Sequence, residues 1–171
     1  MNTNIGLEAW LSGPVPEIPP LLQPSAHALI QSAKEVDEFL TGFPDILLWQ
    51  KPAGRASVGF HLQHLTGVLD RLLTYAEGKT LNETQMEYLK KEGLPDPELS
   101  GLEMVGAFKA KVDKALEIFR QTPEENLREA RTVGRKQLPS TVLGLYFHAA
   151  EHSQRHVGQL LVTVSVVKAR K

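Results

Sequence analysis

The sequence predicts an all-α protein, a four-helix bundle with long crossover connections and short extra helices in its loops. Three observations point there. Apolar residues recur at spacings of three and four in four long stretches, which is the period of one helix face. Prolines and glycines fall between those stretches, where helices must stop. No segment sustains period-two alternation and no internal repeat is visible, so neither strands nor solenoid repeats are expected.

The elements follow in chain order. Leu11-Ser-Gly-Pro-Val-Pro-Glu-Ile-Pro-Pro20 is too rich in proline for a regular ladder, so residues 1–23 read as an extended N-terminal arm packed on the body. The first helix starts near Pro24 and Ser25, carries Ala26, Leu29, Ile30, Ala33, Val36, Phe39 and Leu40 on one face, and ends at Gly42 and Pro44. A connector with Trp49 and Pro52 leads to Ser57, a good N-cap. The second helix runs from there to Gly78 with Val58, His61, Leu65, Val68, Leu69, Leu72 and Ala76 on one side. The capping box Ser100-Gly-Leu-Glu103 opens the third, whose apolar face is Leu102, Val105, Phe108, Val112, Leu116 and Phe119. The fourth follows Pro139-Ser140 and reaches about Val167. Short helices are expected at Glu83 to Lys91 and after Thr122-Pro-Glu-Glu125.

At 171 residues the chain reads as a single domain, 1–171, long enough to bury a substantial core. A net charge of −1 provides no general attraction to nucleic acid or anionic lipid, so neither is expected as a partner. No stretch approaches the ~20 apolar residues of a membrane span. Met1 to Trp10 has neither the basic start nor the continuous apolar run of a signal peptide. With no cysteine there is no disulfide framework and no thiolate ligand, which suits a cytoplasmic location and restricts any metal to nitrogen and oxygen donors.

Histidine placement carries the functional signal. His148, His152 and His156 stand at four-residue steps in one helix, so neighbours are rotated by only ~40° and can face one ion. Burying three imidazoles in nine residues stabilises nothing by itself, which favours metal binding over core filling. A functional divalent site usually takes three protein ligands, and the second helix offers His61 and His64. His61 lies nearer the middle of the apolar face and His64 toward its edge, about 60° away, so periodicity slightly prefers His61. His27, alone on the first helix, reads as a core histidine with a satisfied hydrogen bond.

Two motifs make the chain recognisable. Gly54-Arg-Ala-Ser57-Val-Gly-Phe-His-Leu-Gln-His64-Leu and Glu151-His152-Ser-Gln-Arg-His156-Val-Gly-Gln159 resemble those of the DinB-like family of metal-binding four-helix bundles, the group that includes bacillithiol- and mycothiol-dependent transferases. The first is similar to the family's Trp-Ser-Val helix start with His-Leu two turns on, with Ala56 where an aromatic is common. The second is similar to its His-x3-His-x-Gly-Gln. The resemblance covers residues 24 to 168 and implies metal ligands at His64, His152 and His156. His61 stays open as the alternative third ligand. His148 is left as a replacement for His156, an outer group, a proton shuttle or core filler. The resemblance implies a divalent ion, nickel or zinc ahead of manganese or iron, and pairing into homodimers.

Three neutral imidazoles leave a divalent ion its full charge, able to acidify a bound water or thiol. The expected activity is therefore that of a metal-dependent hydrolase or a thiol transferase acting on a small molecule, a low-molecular-weight thiol among the candidates. A non-catalytic metal-binding or stress-response protein is the alternative. Glu151 lies off the ligand face as a solvated or outer carboxylate, with Arg155 four residues on as its ion-pair partner. Gln159 is a candidate to hydrogen-bond a ligand or water. The basic group Arg128, Arg131, Arg135 and Lys136 is either a solvated loop or a recruiter of an anionic cosubstrate. Lys168 to Lys171 suits a helix C-terminus.

Overall fold

The computed structural model describes residues 7–169. Residues 1–6, which hold the start of the arm and of the stretch judged for a leader, and the basic pair 170–171 lie outside the described residues. Within them the chain forms α1 (Gln23–Leu40), α2 (Val58–Ala76), α3 (Glu83–Lys91), α4 (Gly101–Gln121) and α5 (Val142–Lys168). α5 packs against α1 and α2, and α4 packs against the same two from the other side, so the four long helices enclose one core. Leu29 and Val36 from α1, Leu62, Leu65 and Leu69 from α2, Phe108 and Phe119 from α4 and Leu160 from α5 are fully buried there. Leu102 of the expected α4 face is instead 81% exposed, since it sits in the first turn beyond the core.

Local chemistry sets the helix limits. Ser57 accepts from the Phe60 N–H at the start of α2, and Asn82 with Gln85 and Ser100 with Glu103 close complete capping boxes on α3 and α4. α5 is capped by Thr141, whose hydroxyl accepts from the Gly144 N–H. The segment after Thr122 is a short 3-10 helix, Glu124–Arg128. Leu7 to Leu22 lies along α1 with 3-10 turns at Ala9–Ser12 and Pro20–Leu22, tied down by Gln31 on the Ala9 N–H and Gln23 on the Val15 N–H. Among the described residues no helix is long and apolar enough to cross a membrane.

One expectation is corrected. The sequence pattern leaves no room for strands, yet Ala130–Val133 (β1) and Leu138–Thr141 (β2) pair antiparallel, Ala130 opposite Thr141 and Val133 opposite Leu138. Four residues are too few to display a period of two, and Pro139 argues against a strand except in an edge position, which both members of a two-stranded ribbon occupy. Gly134 and Gln137 supply the turn with φ of +67° and +50°.

A close approach fixes the entry to α2. The Gly59 N–H donates to the Leu48 carbonyl at 2.8 Å, and the Trp49 ring lies over the glycine so closely that a Cβ there would sit 2.7 Å from two ring carbons. Gly59→Ala is expected to lower unfolding free energy by about 1–3 kcal/mol through overpacking, despite alanine's better helix propensity. Urea titration followed by tryptophan fluorescence measures it, and an unchanged midpoint would refute the packing argument.

Candidate metal centre

The site lies between α2 and α5. Ser57 starts α2 so that His61 and His64 fall in its first two turns, and α5 presents His152 and His156 one turn apart. His61 Nδ1 lies 3.2 Å from His156 Nδ1, and His64 Nε2 lies 3.0 Å from His152 Nε2. The numbers rise on one helix as they fall on the other, so the helices run antiparallel here and all four imidazoles share one layer. Rings of His64 and His156 are 4.4 Å apart between centroids, and those of His152 and His156 4.6 Å. His64, His152 and His156 each offer a nitrogen, and these three atoms lie within 4.8 Å of one another. Phe60 stacks flat on His64 at 5.3 Å and closes one side.

This spacing suits a metal ion. Imidazole nitrogens about 2.0–2.1 Å from one ion stand roughly 2.9–3.4 Å apart for angles between square and tetrahedral, and the 3.0 Å pair falls in that interval. Among the described residues His152 Nδ1 is buried without a hydrogen-bond partner, so the ring's polar commitment rests on its other nitrogen.

Burial and the neighbouring charges keep three of the rings neutral. Burial, then His64, lowers His61 to about 4. Burial, then His64, His148 and Arg155, lowers His152 to about 4. Burial, then His64, His152, His61 and Arg155, lowers His156 to about 3. Each of these rings is a neutral base at pH 7, with a lone pair to offer.

His61, preferred by periodicity, is only 2% exposed and meets His156 alone, whereas His64 at the edge of the face meets both α5 histidines. His148 is not core filler: its side chain is 48% exposed, its ring lies 5.2 Å from that of His152, and its Nδ1 is 2.6 Å from Glu151. With Glu151 and His152 it forms a second group of potential ligands at the solvent side. Glu151 also takes the expected ion pair from Arg155. Among the described residues Gln159 finds no side-chain hydrogen-bond partner; it is exposed in the wall of a cleft of about 780 Å³ that Pro52, Arg55, His61, Arg155 and Val162 also line.

Other expectations are corrected here. His27 does have its hydrogen bond, to the Gly13 carbonyl at 2.9 Å, but half-buried beneath the arm rather than in the core. The basic group does not face the histidines. Arg131 donates to the carbonyl of Ala76, twelve residues past His64 and roughly 18 Å along α2, and Arg135 lines a separate cleft with Tyr75 and Lys79.

Sequence reasoning missed Glu92. It follows α3, and its Oε2 lies 2.9 Å from His64 Nδ1 while Oε1 accepts from Arg71. Burial alone would raise its carboxyl, but hydrogen bonds from His64 and Arg71 outweigh that and hold it below the usual carboxylate range. The available signal was Gly67, since a glycine inside a helix marks a close approach, though not which residue approaches.

An antiparallel helical bundle with an all-imidazole cluster between two of its long helices is the class of protein that fold and site define. The chain belongs to the DinB superfamily, whose family description it matches over residues 28–160. No functionally curated protein matches the sequence.

A pH dependence follows from the lowered histidines. An unfolded histidine titrates near 6.5, so between there and about 4 the unfolded chain binds protons that folded His61, His152 and His156 refuse. Metal-free protein is expected to hold its stability above pH 6.5 and to lose it as pH falls toward 4. Replacing His61 and His156 with glutamine should flatten that limb in denaturant titrations at stepped pH; an unaltered slope would show that other groups dominate.

Proposed function

We propose that this DinB superfamily protein binds one divalent metal ion through His64, His152 and His156 and uses it as a metal-dependent hydrolase or thiol transferase. The carrying observation is the convergence of His64 Nε2 and His152 Nε2 at 3.0 Å with His156 beside them, the two α5 rings kept neutral by their surroundings. Nickel and zinc suit such donors ahead of manganese and iron. When bound, the ion would lower the pKa of a coordinated water or substrate thiol.

The chain's own residues set the conditions for that chemistry. Three neutral ligands add no negative charge, and the protein has no cysteine to compete with a substrate thiol. Phe60 covers His64 from one side. The cleft walled by His61, Arg155 and Gln159 offers a small molecule an approach beside His156. His148 and Glu151 stand on the solvent side of His152, the position from which a polar pair can meet a substrate or exchange protons with water.

Metal analysis of protein purified under metal-replete conditions is expected to find one equivalent of a divalent ion. His64→Ala, His152→Ala and His156→Ala should each lose it. At a hundredfold excess over Kd the ion should stabilise wild type by about 2.7 kcal/mol, with no such gain in the variants. Wild type that takes up no stoichiometric metal removes the proposal. With metal bound, low-molecular-weight thiols presented with electrophiles test transfer, and turnover without thiol identifies hydrolysis. Absence of both activities across these panels would favour the non-catalytic metal-binding reading.

A further inference from the structure

We infer that Glu92 is a positioning residue that fixes the tautomer of His64, holding the proton on Nδ1 so that the Nε2 lone pair is directed at His152 and His156. The inference deepens the metal reading above, although its central observable exists in the metal-free protein.

A carboxylate can only accept, so the 2.9 Å contact with Glu92 Oε2 requires His64 Nδ1 to donate. Nε2, the nitrogen 3.0 Å from His152, is then left to accept or to ligate. Glu92 cannot turn away, because its other oxygen is taken by the guanidinium of Arg71 and both side chains are almost fully enclosed, at 7% and 11% exposure. Arg71 is itself a cation buried in the bundle, for which Glu92 is the counter-charge. Moving Glu92 would strand it.

The backbone that carries Glu92 is pinned to α2 as well. Gln63, next to His64, accepts from the Gly93 N–H at 2.7 Å and donates to the Leu94 carbonyl at 3.3 Å. Tyr88, in the second half of α3, donates to the Gln63 carbonyl at 3.1 Å. All of this meets α2 over Gly67. A Cβ there would run into Glu92 Oε1, with Tyr88 Cε1 at 2.7 Å and Arg71 Nη1 at 2.8 Å. The missing side chain of Gly67 is the space that the carboxylate and guanidinium occupy. α3 thus serves the site by delivering one oxygen atom to one imidazole nitrogen, as outer carboxylates do for ligating histidines elsewhere.

Glu92→Gln tests this sharply, because Arg71 has only donors to offer. The amide must give its oxygen to Arg71, which turns its NH2 toward His64 Nδ1 and requires that nitrogen to accept. The proton must then move to Nε2, the wrong nitrogen for ligation. Long-range proton–nitrogen NMR spectra of the metal-free protein at about pH 8, above the ordinary histidine range, read the tautomer directly. Wild type should show His64 protonated on Nδ1, and Glu92→Gln should show it protonated on Nε2. Chelator competition should find zinc or nickel bound about 10–100-fold more weakly in Glu92→Gln. Gly67→Ala, which touches no proposed ligand, should weaken binding in the same direction.

Protonation of wild-type His64 on Nε2 would overturn the inference, as would an unchanged tautomer in Glu92→Gln, even with weakened metal binding, since that marks a purely structural role. The spectra decide whether or not the protein holds metal, so a wild type without metal would sink the proposed function and leave the tautomer result to stand by itself. Should Gly67→Ala not fold, Glu92→Gln still decides.

Discussion

The register of α2 against α5 is the constraint on which the rest depends. His61 and His64 are three residues apart, about 4.5 Å along α2, and His152 and His156 are four apart, about 6 Å along α5. Only an antiparallel alignment in which position 61 meets 156 and 64 meets 152 puts all four rings in one layer. A slip of one residue on either helix rotates its pair by about 100° and separates them. The register is held elsewhere, by fully buried Leu62, Leu65 and Leu69 on α2 and Val157 and Leu160 on α5, which interleave with the histidines in sequence. Apolar packing thus pre-arranges a polar cluster that packing alone would not select.

That cluster costs stability without a ligand. Burial and the neighbouring imidazoles depress the protonation of His61, His152 and His156, and among the described residues His152 Nδ1 has no hydrogen-bond partner. A bundle selected for stability alone would fill the layer with leucine. A feature invisible at the level of the four-helix pattern organises the cluster: the buried ion pair of Arg71 and Glu92 anchors the end of α3 over Gly67 and supplies His64 with its acceptor.

Much of this was legible in the sequence, for definite reasons. Ser57, Ser100 with Glu103, and Gly42 mark helix limits because caps and left-handed residues act locally, within one turn. The four-residue step from His152 to His156 likewise sets its own geometry. The hairpin was illegible because four-residue strands carry no period, and the ribbon only closes the short span between the 3-10 helix Glu124–Arg128 and the start of α5. The choice between His61 and His64 was half legible. A wheel identifies the more buried ring correctly, as His61 is, but burial and convergence are different quantities, and the edge of a face is where two helices leave room for a third group. Glu92 was out of reach, since its contact with His64 spans 28 residues and passes through the loop after α3.

Charge distribution joins the outer shell to the chemistry proposed for the inner one. Glu92 is held ionised in a nearly closed space, and a lone carboxylate against His64 would bring a full negative charge toward the centre. Arg71 cancels it at the far oxygen. The pair can therefore orient His64 through a directed hydrogen bond while adding almost no net charge to the cluster. A donor set built this way would leave the positive charge of a bound ion largely uncompensated, the condition under which the proposed acidification of a water or thiol would be strongest. Had the bundle supplied Glu92 as a direct ligand, binding would be tighter and that acidity weaker. Placing the carboxylate one shell out, behind Gly67 and balanced by Arg71, separates the task of holding the site's shape from the task of setting its charge.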